Sequence, residues 1–135
     1  MILRNTAQRL IVMAAMIFGL FAAMSVPANA ASGGGCGSWD KTDACISKSG
    51  NYVYADFYQN VTPDSSMYRA VLTIVNKGVA VKSATYYLTK TGRFGPISYN
   101  VATLPATSGS AYSRVQVYTN TGALHYTIYS PTLYY

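Results

Sequence analysis

The sequence predicts an all-β protein, a small antiparallel β-sandwich or small barrel of about six to seven strands, behind a cleaved signal peptide. Three observations support this prediction. Apolar and polar residues alternate with period two in several segments after residue 50. Turn-forming residues separate these segments about every 8–12 residues. No segment shows sustained helical periodicity.

The N-terminus has the pattern of a secretory signal peptide. Arg4 and Arg9 supply positive charge, and Leu10 to Met24 is an uncharged apolar stretch. Ala28-Asn29-Ala30 then matches a small-residue cleavage site. A membrane-spanning helix would need about 20 apolar residues, more than this stretch offers. We therefore expect cleavage after Ala30, a secreted protein and no transmembrane helix in the mature chain.

The mature chain would be basic and would carry one disulfide. Without the first 30 residues, eight Lys or Arg remain against four Asp, a net charge of +4. In an oxidising compartment, the isolated pair Cys36 and Cys45 predicts a disulfide bond. Free thiols and a metal site are the alternatives, but two thiols and the distant His125 make a poor ligand set for a metal. We expect no metal and no cofactor.

Residues 31–50 predict a Gly-rich leader and a disulfide-closed N-terminal loop, followed by an antiparallel β domain over residues 51–135. The small residues of Ala31 to Ser38 favour a flexible leader. Trp39 lies inside the disulfide loop. We expect its ring to cover the end of a core, with sugar stacking as the alternative role.

Asn51 to Gln59 predicts the first strand of the β domain. One face of the strand would carry Tyr52, Tyr54, Asp56 and Tyr58, and the other Val53, Ala55 and Phe57. The turn formers Pro63 and Asp64 then predict a loop over Asn60 to Ser66.

A hairpin follows, with strands in Met67 to Val75 and Val79 to Thr89 around Asn76-Lys77-Gly78. A two-residue loop places Ile74 and Val81 on one face. The same register places Thr73 and Lys82 on the other face.

Three segments separate this hairpin from the last one. Lys90 to Pro96 predicts a loop because of its glycines and proline. Ile97 to Ala102 predicts a short strand, and Leu104 to Ser110 another loop.

The last hairpin joins Tyr112 to Thr119 and Ala123 to Ser130 through Thr121-Gly122. The register that follows pairs Thr119 with Leu124, Val117 with Tyr126, and Val115 with Ile128 on a largely apolar face. The opposite face would pair Tyr118 with His125, Gln116 with Thr127 and Arg114 with Tyr129. Leu133 to Tyr135 would continue the last strand.

The inventory of reactive side chains argues against an enzyme. The chain has one His, four Asp and no Glu, and it lacks a nucleophile elbow, a phosphate-binding loop and a zinc-protease motif. We therefore expect no catalytic residues. A Ser–His–Asp arrangement built from distant segments stays open, because its members need not be near in sequence.

Tyrosine is the informative residue type. All 13 tyrosines follow residue 50, where only two Phe occur, so many of these rings should be partly exposed. Exposed rings on a rigid sheet suit flat ligands or protein surfaces, although tyrosine also serves as an ordinary strand-forming surface residue. The candidate binding residues are those of the polar hairpin face, namely Tyr112, Arg114, Gln116, Tyr118, His125 and Tyr129.

The leading hypothesis is a secreted, non-enzymatic binding module for a cell-wall or extracellular polysaccharide, or for an extracellular protein. Positive charge would favour anionic polymers, and export argues against nucleic acid. One alternative is a secreted inhibitor or antimicrobial effector that acts through the Lys90 to Pro96 loop with Arg93 and Phe94. Another is a structural protein that assembles through tyrosine-rich edge strands. The oligomeric state is not predicted.

Overall fold

The computed structural model describes residues 31–102 and 108–135. The predicted signal peptide and most of the predicted loop from Leu104 to Ser110 lie outside these residues. The described chain forms ten strands: β1 (Ser32–Gly33), β2 (Gly35–Trp39), β3 (Thr42–Ser49), β4 (Tyr52–Gln59), β5 (Arg69–Asn76), β6 (Val79–Tyr87), β7 (Gly92–Asn100), β8 (Ser110–Tyr118), β9 (Leu124–Tyr129) and β10 (Leu133–Tyr134).

The strands form two antiparallel sheets that pack as a β-sandwich, which confirms the predicted fold class. The six-stranded sheet has the order β1-β10-β8-β5-β6, and β9 also pairs with β8. The four-stranded sheet has the order β2-β3-β4-β7. The strand count exceeds the prediction because β1, β2 and β10 are short and β3 was not expected.

The core lies between the sheets and follows the period-two pattern of the strands. Val53, Ala55 and Phe57 of β4 are fully buried, as their alternation predicts. The ring of Phe57 stacks on Phe94 at 5.0 Å, and Tyr86 meets Phe57 edge-on from the opposite sheet. Buried aromatic pairs of this kind add to the free energy of apolar burial.

Residues 31–50 contain three strands instead of the expected leader and loop. The reason is visible at Gly37, where a Cβ would lie 2.2 Å from the carbonyl oxygen of Tyr129. Absence of a side chain therefore lets β2 approach β9, which brings together edges of the two sheets. Because glycine contributes no alternation of polar and apolar side chains, β1 and β2 give no strand pattern.

β3 does alternate, since Thr42, Ala44 and Ile46 are buried whereas Asp43 and Ser47 are not. This strand was therefore predictable from the sequence.

The predicted disulfide between Cys36 and Cys45 is confirmed. The two cysteines are direct neighbours across the β2–β3 pair. The bond therefore ties an edge strand to its only partner within the sheet.

The β5–β6 hairpin is confirmed, but its predicted register is wrong beyond the turn. Lys77 and Gly78 have φ of 50° and 79°, and a two-residue hairpin turn of type I′ requires positive φ at both of these positions. An irregularity between Ile74 and Val75 then shifts the pairing by one residue, so that Ile74 lies opposite Lys82. Thr73 consequently pairs with Ser83, and their hydroxyls are 2.9 Å apart.

The prediction of a loop over Lys90 to Pro96 is wrong, because β7 begins at Gly92 and runs through this segment. Phe94 is 9% exposed and belongs to the core. The glycine and proline signals correspond to a break in register between β4 and β7 at Ala55 to Phe57, beside Gly95-Pro96. The predicted short strand from Ile97 is the continuation of β7.

The β8–β9 hairpin largely follows the predicted register. Val117 pairs with Tyr126, Val115 with Ile128, Gln116 with Thr127, and Arg114 with Tyr129. The predicted pairs near the turn are wrong, since the register shifts after Val117 and places Leu124 opposite Tyr118. At the other end, β10 pairs with the start of β8, as expected for a continuing strand.

Candidate binding face on the six-stranded sheet

Strands β6, β5, β8 and β9 lie side by side and present a polar outer face opposite the core. We call this surface the arginine face. Its side chains form four rows across the strands: Tyr87, Arg69, Tyr118 and Leu124; Thr85, Val71, Gln116 and Thr127; Ser83, Thr73, Arg114 and Tyr129; and Val75 with Tyr112.

The structure brings five of the six sequence-predicted binding residues onto the arginine face. These are Tyr112, Arg114, Gln116, Tyr118 and Tyr129. The sixth, His125, lies where the β8–β9 register shifts, and it is exposed. Its ring is 5.1 Å from Tyr126, not in the predicted pair with Tyr118.

The first row places an arginine between two tyrosines. Arg69 is opposite Tyr87 on one side and Tyr118 on the other. Its guanidinium lies 4.3 Å from the centre of the Tyr118 ring, a cation–π contact. Tyr87 remains 59% exposed and also meets Tyr68 edge-on. The row therefore combines the guanidinium of Arg69, held against Tyr118, with the solvent-accessible ring of Tyr87.

The third row contains the second arginine, Arg114. Its neighbours across the strands are Thr73 and Tyr129, neither of which carries charge. Arg114 Nε is buried and has no hydrogen-bond partner. Tyr129 is 55% exposed and meets Tyr112 edge-on. A buried hydrogen-bond donor without a partner is unusual. Here the donor belongs to Arg114, whose positive charge has no carboxylate opposite it on the neighbouring strands.

The two sheets differ in charge. Strands of the six-stranded sheet carry three Lys or Arg residues (Arg69, Lys82 and Arg114) and no Asp or Glu. Strands of the four-stranded sheet carry two cations and two aspartates. There, Arg93 donates to Asp56 at 2.5 Å, and this carboxylate raises the pKa of Arg93. Unbalanced positive charge among the strands is therefore confined to the six-stranded sheet.

The outer face of the four-stranded sheet is also rich in tyrosine, and we call it the serine face. The tyrosines follow one another along β4, as predicted. Tyr52 and Tyr54 have serine or asparagine opposite them on β3 and β7, whereas Tyr58 lies between Asp43 and Arg93. This face consists of Asp43, Cys45, Ser47, Ser49, Tyr52, Tyr54, Asp56, Tyr58, Arg93, Ser98 and Asn100.

A buried hydrogen-bond chain joins the two sheets beneath one end of the arginine face. Thr42 donates to Oε1 of Gln59, so the Tyr126 hydroxyl must donate to Thr42 Oγ1, 2.8 Å away. Burial raises the pKa of Tyr126 above that of an ordinary tyrosine. Trp39 rests edge-on against the buried Tyr126 with half its surface exposed, so that one side of the ring contacts the core and the other is accessible.

Among the described residues, no three His, Cys, Asp or Glu residues lie close enough together to hold a metal ion. Within residues 31–102 and 108–135, nothing forms a helix of the length and hydrophobicity needed to cross a bilayer.

Sequence reasoning missed Arg69 and Tyr87 as members of the site. Arg69 occupies an outward position of β5, and that alternation is present in the sequence. What the sequence does not reveal is that β5 lies between β8 and β6. This strand order brings Arg69 beside Tyr118, which is 49 positions away along the chain.

Comparison with known proteins gives no match among family models, curated proteins or solved structures.

Proposed function

We propose that residues 31–135 form an exported, non-enzymatic binding module that attaches to a polymer of the cell envelope or extracellular space. The arginine face is the proposed binding surface. The observation that carries this proposal is the combination of exposed Tyr87 and Tyr129 with Arg69 and Arg114 on one face.

The physical basis is the rigidity and chemistry of that surface. Tyrosine offers a flat apolar ring and a hydroxyl while losing little side-chain entropy on binding. The rings stand on β6 and β9, at the two sides of the central β5–β8 pair, and the hydrogen-bonded sheet fixes their spacing before a ligand arrives. Polar side chains of Gln116 and Thr127 lie in the row between the two arginines and can bond to sugar hydroxyls.

The alternative is an effector that acts through an inserting loop, and the strand at this position gives it less support than the arginine face gives a binding module. The segment proposed for that loop belongs to β7, and Phe94 is buried against Phe57. An extracellular protein ligand stays an alternative for the arginine face.

A sedimentation assay tests the proposal. The oxidised chain from Ala31 onward, which contains every described strand, is mixed with isolated cell walls and insoluble polysaccharides. Tyr87→Ala and Tyr129→Ala should each weaken retention about fivefold, the effect of losing roughly 1 kcal/mol of aromatic contact. The matched controls Tyr52→Ala and Tyr58→Ala, on the serine face, should leave retention unchanged.

Two results would contradict the proposal. Equal losses in all four variants would remove the arginine face as the site. Absence of retention on every polymer would instead direct the search to a soluble protein ligand.

A further inference from the structure

We propose that the ligand of the arginine face is a linear anionic polysaccharide that runs along β5 and β8 and places acidic groups at Arg69 and Arg114. The inference rests on the proposed function and adds the charge of the ligand and its direction on the sheet.

The charge of the ligand follows from the placement of cations. Arg69 and Arg114 each have uncharged side chains opposite them on both neighbouring strands. Arg93, on the serine face, is already neutralised by Asp56. A sulfate, phosphate or carboxylate group is the complement that the arginine face lacks, and arginine binds such groups through paired hydrogen bonds.

The direction follows from the strand register. Tyr118, opposite Arg69, and Arg114 are four residues apart on β8. At about 3.4 Å per residue, the two arginine rows are about 14 Å apart along the strands. Each row also carries an exposed ring, Tyr87 in one and Tyr129 in the other. A chain that follows β5 and β8 would meet an arginine at each end of this interval, with Tyr87 of β6 flanking it at one end and Tyr129 of β9 flanking it on the opposite side at the other end.

The polar row between the arginines favours a saccharide over other polyanions. Thr85, Gln116 and Thr127 share that row with Val71. Hydroxyl and amide groups both donate and accept hydrogen bonds, as do the hydroxyls of a sugar ring. A ligand with sugar rings between its acidic groups would therefore use the whole length of the face.

The first experiment measures affinity for sulfated, carboxymethylated and unmodified dextrans of equal length. Both anionic dextrans should bind and the neutral one should not. Arg69→Gln and Arg114→Gln should each weaken binding about tenfold, as expected for a lost hydrogen-bonded charge contact. Arg93→Gln removes the same charge from the serine face and should change affinity by less than about twofold.

The second experiment varies the length of the sulfated oligosaccharide. Affinity should rise sharply once the chain spans both arginine rows, because the second contact then forms within the complex. Arg69→Gln should abolish that rise, whereas Arg93→Gln should retain it.

Several outcomes would overturn the inference. Equal losses in Arg93→Gln and Arg69→Gln would show attraction by net charge alone. Preferred binding to anionic lipid vesicles or to DNA would identify a different class of ligand. Tyrosine-dependent binding to the neutral dextran, insensitive to both arginine variants, would refute the anionic ligand while leaving the proposed function intact.

Discussion

The two outer faces of the sandwich share a rich tyrosine content but differ in how their charges are arranged. On the serine face, Tyr52 and Tyr58 are exposed, and Asp56 neutralises Arg93 beside them. On the arginine face, Tyr87 and Tyr129 are more exposed than these two, and Arg69 and Arg114 face no carboxylate. The two faces therefore differ in unneutralised charge and not in the presence of exposed tyrosines, and this difference is the basis on which we propose the arginine face as the binding surface.

The largest effect on stability should come from disturbing the close contact between β2 and β9, which joins edges of the two sheets that carry the faces. Gly37→Ala would place a methyl group 2.2 Å from the backbone oxygen of Tyr129. We expect a loss of about 1–3 kcal/mol in the free energy of unfolding, measured by urea denaturation. Ser38→Ala in the same strand is the control. Unchanged stability in Gly37→Ala would show that β2 does not pack closely on β9.

A carboxylate introduced into the arginine face should abolish the difference between the faces. Gln116→Glu places negative charge in the row between Arg69 and Arg114. Affinity for sulfated dextran should fall by about tenfold or more, because the new charge repels the ligand and neutralises the arginines. Ser47→Glu makes the corresponding change on the serine face and should have little effect. Similar losses in both variants would indicate dependence on net charge alone.

The buried chain of hydrogen bonds predicts a dependence of stability on alkaline pH. Tyr126 in the folded protein keeps its proton above pH 10, the ordinary tyrosine value, whereas the same residue in the unfolded chain ionises there. Its contribution to stability is therefore present below about pH 10 and is lost as the pH rises further.

Tyr126→Phe should reduce stability near neutral pH by about 1 kcal/mol, because it removes a buried hydrogen bond to Thr42. The variant should also lose less stability than the wild type at alkaline pH. Urea midpoints measured across this range test both effects. Tyr135, whose pKa burial also raises, will still contribute a loss in the variant. Parallel curves for the two proteins would contradict the role assigned to Tyr126.

The smallest expected effect comes from breaking the ion pair of the serine face, so that Arg93 loses its carboxylate partner. Asp56→Asn removes the carboxylate that pairs with Arg93. The cost in stability should be small because the arginine is exposed and solvent screens the pair. Binding to sulfated dextran should increase by less than about twofold, and the gain should disappear at high salt. A gain that persists at high salt would mean that the serine face also contains a specific anion site.

Regular alternation made part of the fold predictable. Val53, Ala55 and Phe57 are buried on one side of β4 as their spacing requires. In the last hairpin, the turn and the apolar pattern agree, and four of the predicted cross-strand pairs are present. The alternation of side chains along β8 likewise predicted correctly that Arg114 and Tyr118 lie on the outer face of the sheet.

The wrong predictions of strands and register have physical causes that are not visible in the identity of single residues. Gly37 has no side chain to reveal a strand, and the Gly95-Pro96 pair has the composition of a turn although it lies within β7. Register shifts after Val117 and near Ile74 displace neighbours by one position without altering the composition of either strand. Membership of Arg69 in the candidate site depends on a pairing between β5 and β8 that no local pattern specifies.

Backbone amide chemical shifts recorded during titration with sulfated dextran test the central claim most directly. The arginine face predicts that the largest changes fall on β5, β8 and β9, near Arg69, Arg114 and Tyr129. The β4 amides from Tyr52 to Tyr58 should remain unchanged. Changes concentrated on β4, with β5 and β8 unaffected, would contradict the assignment of binding to the arginine face.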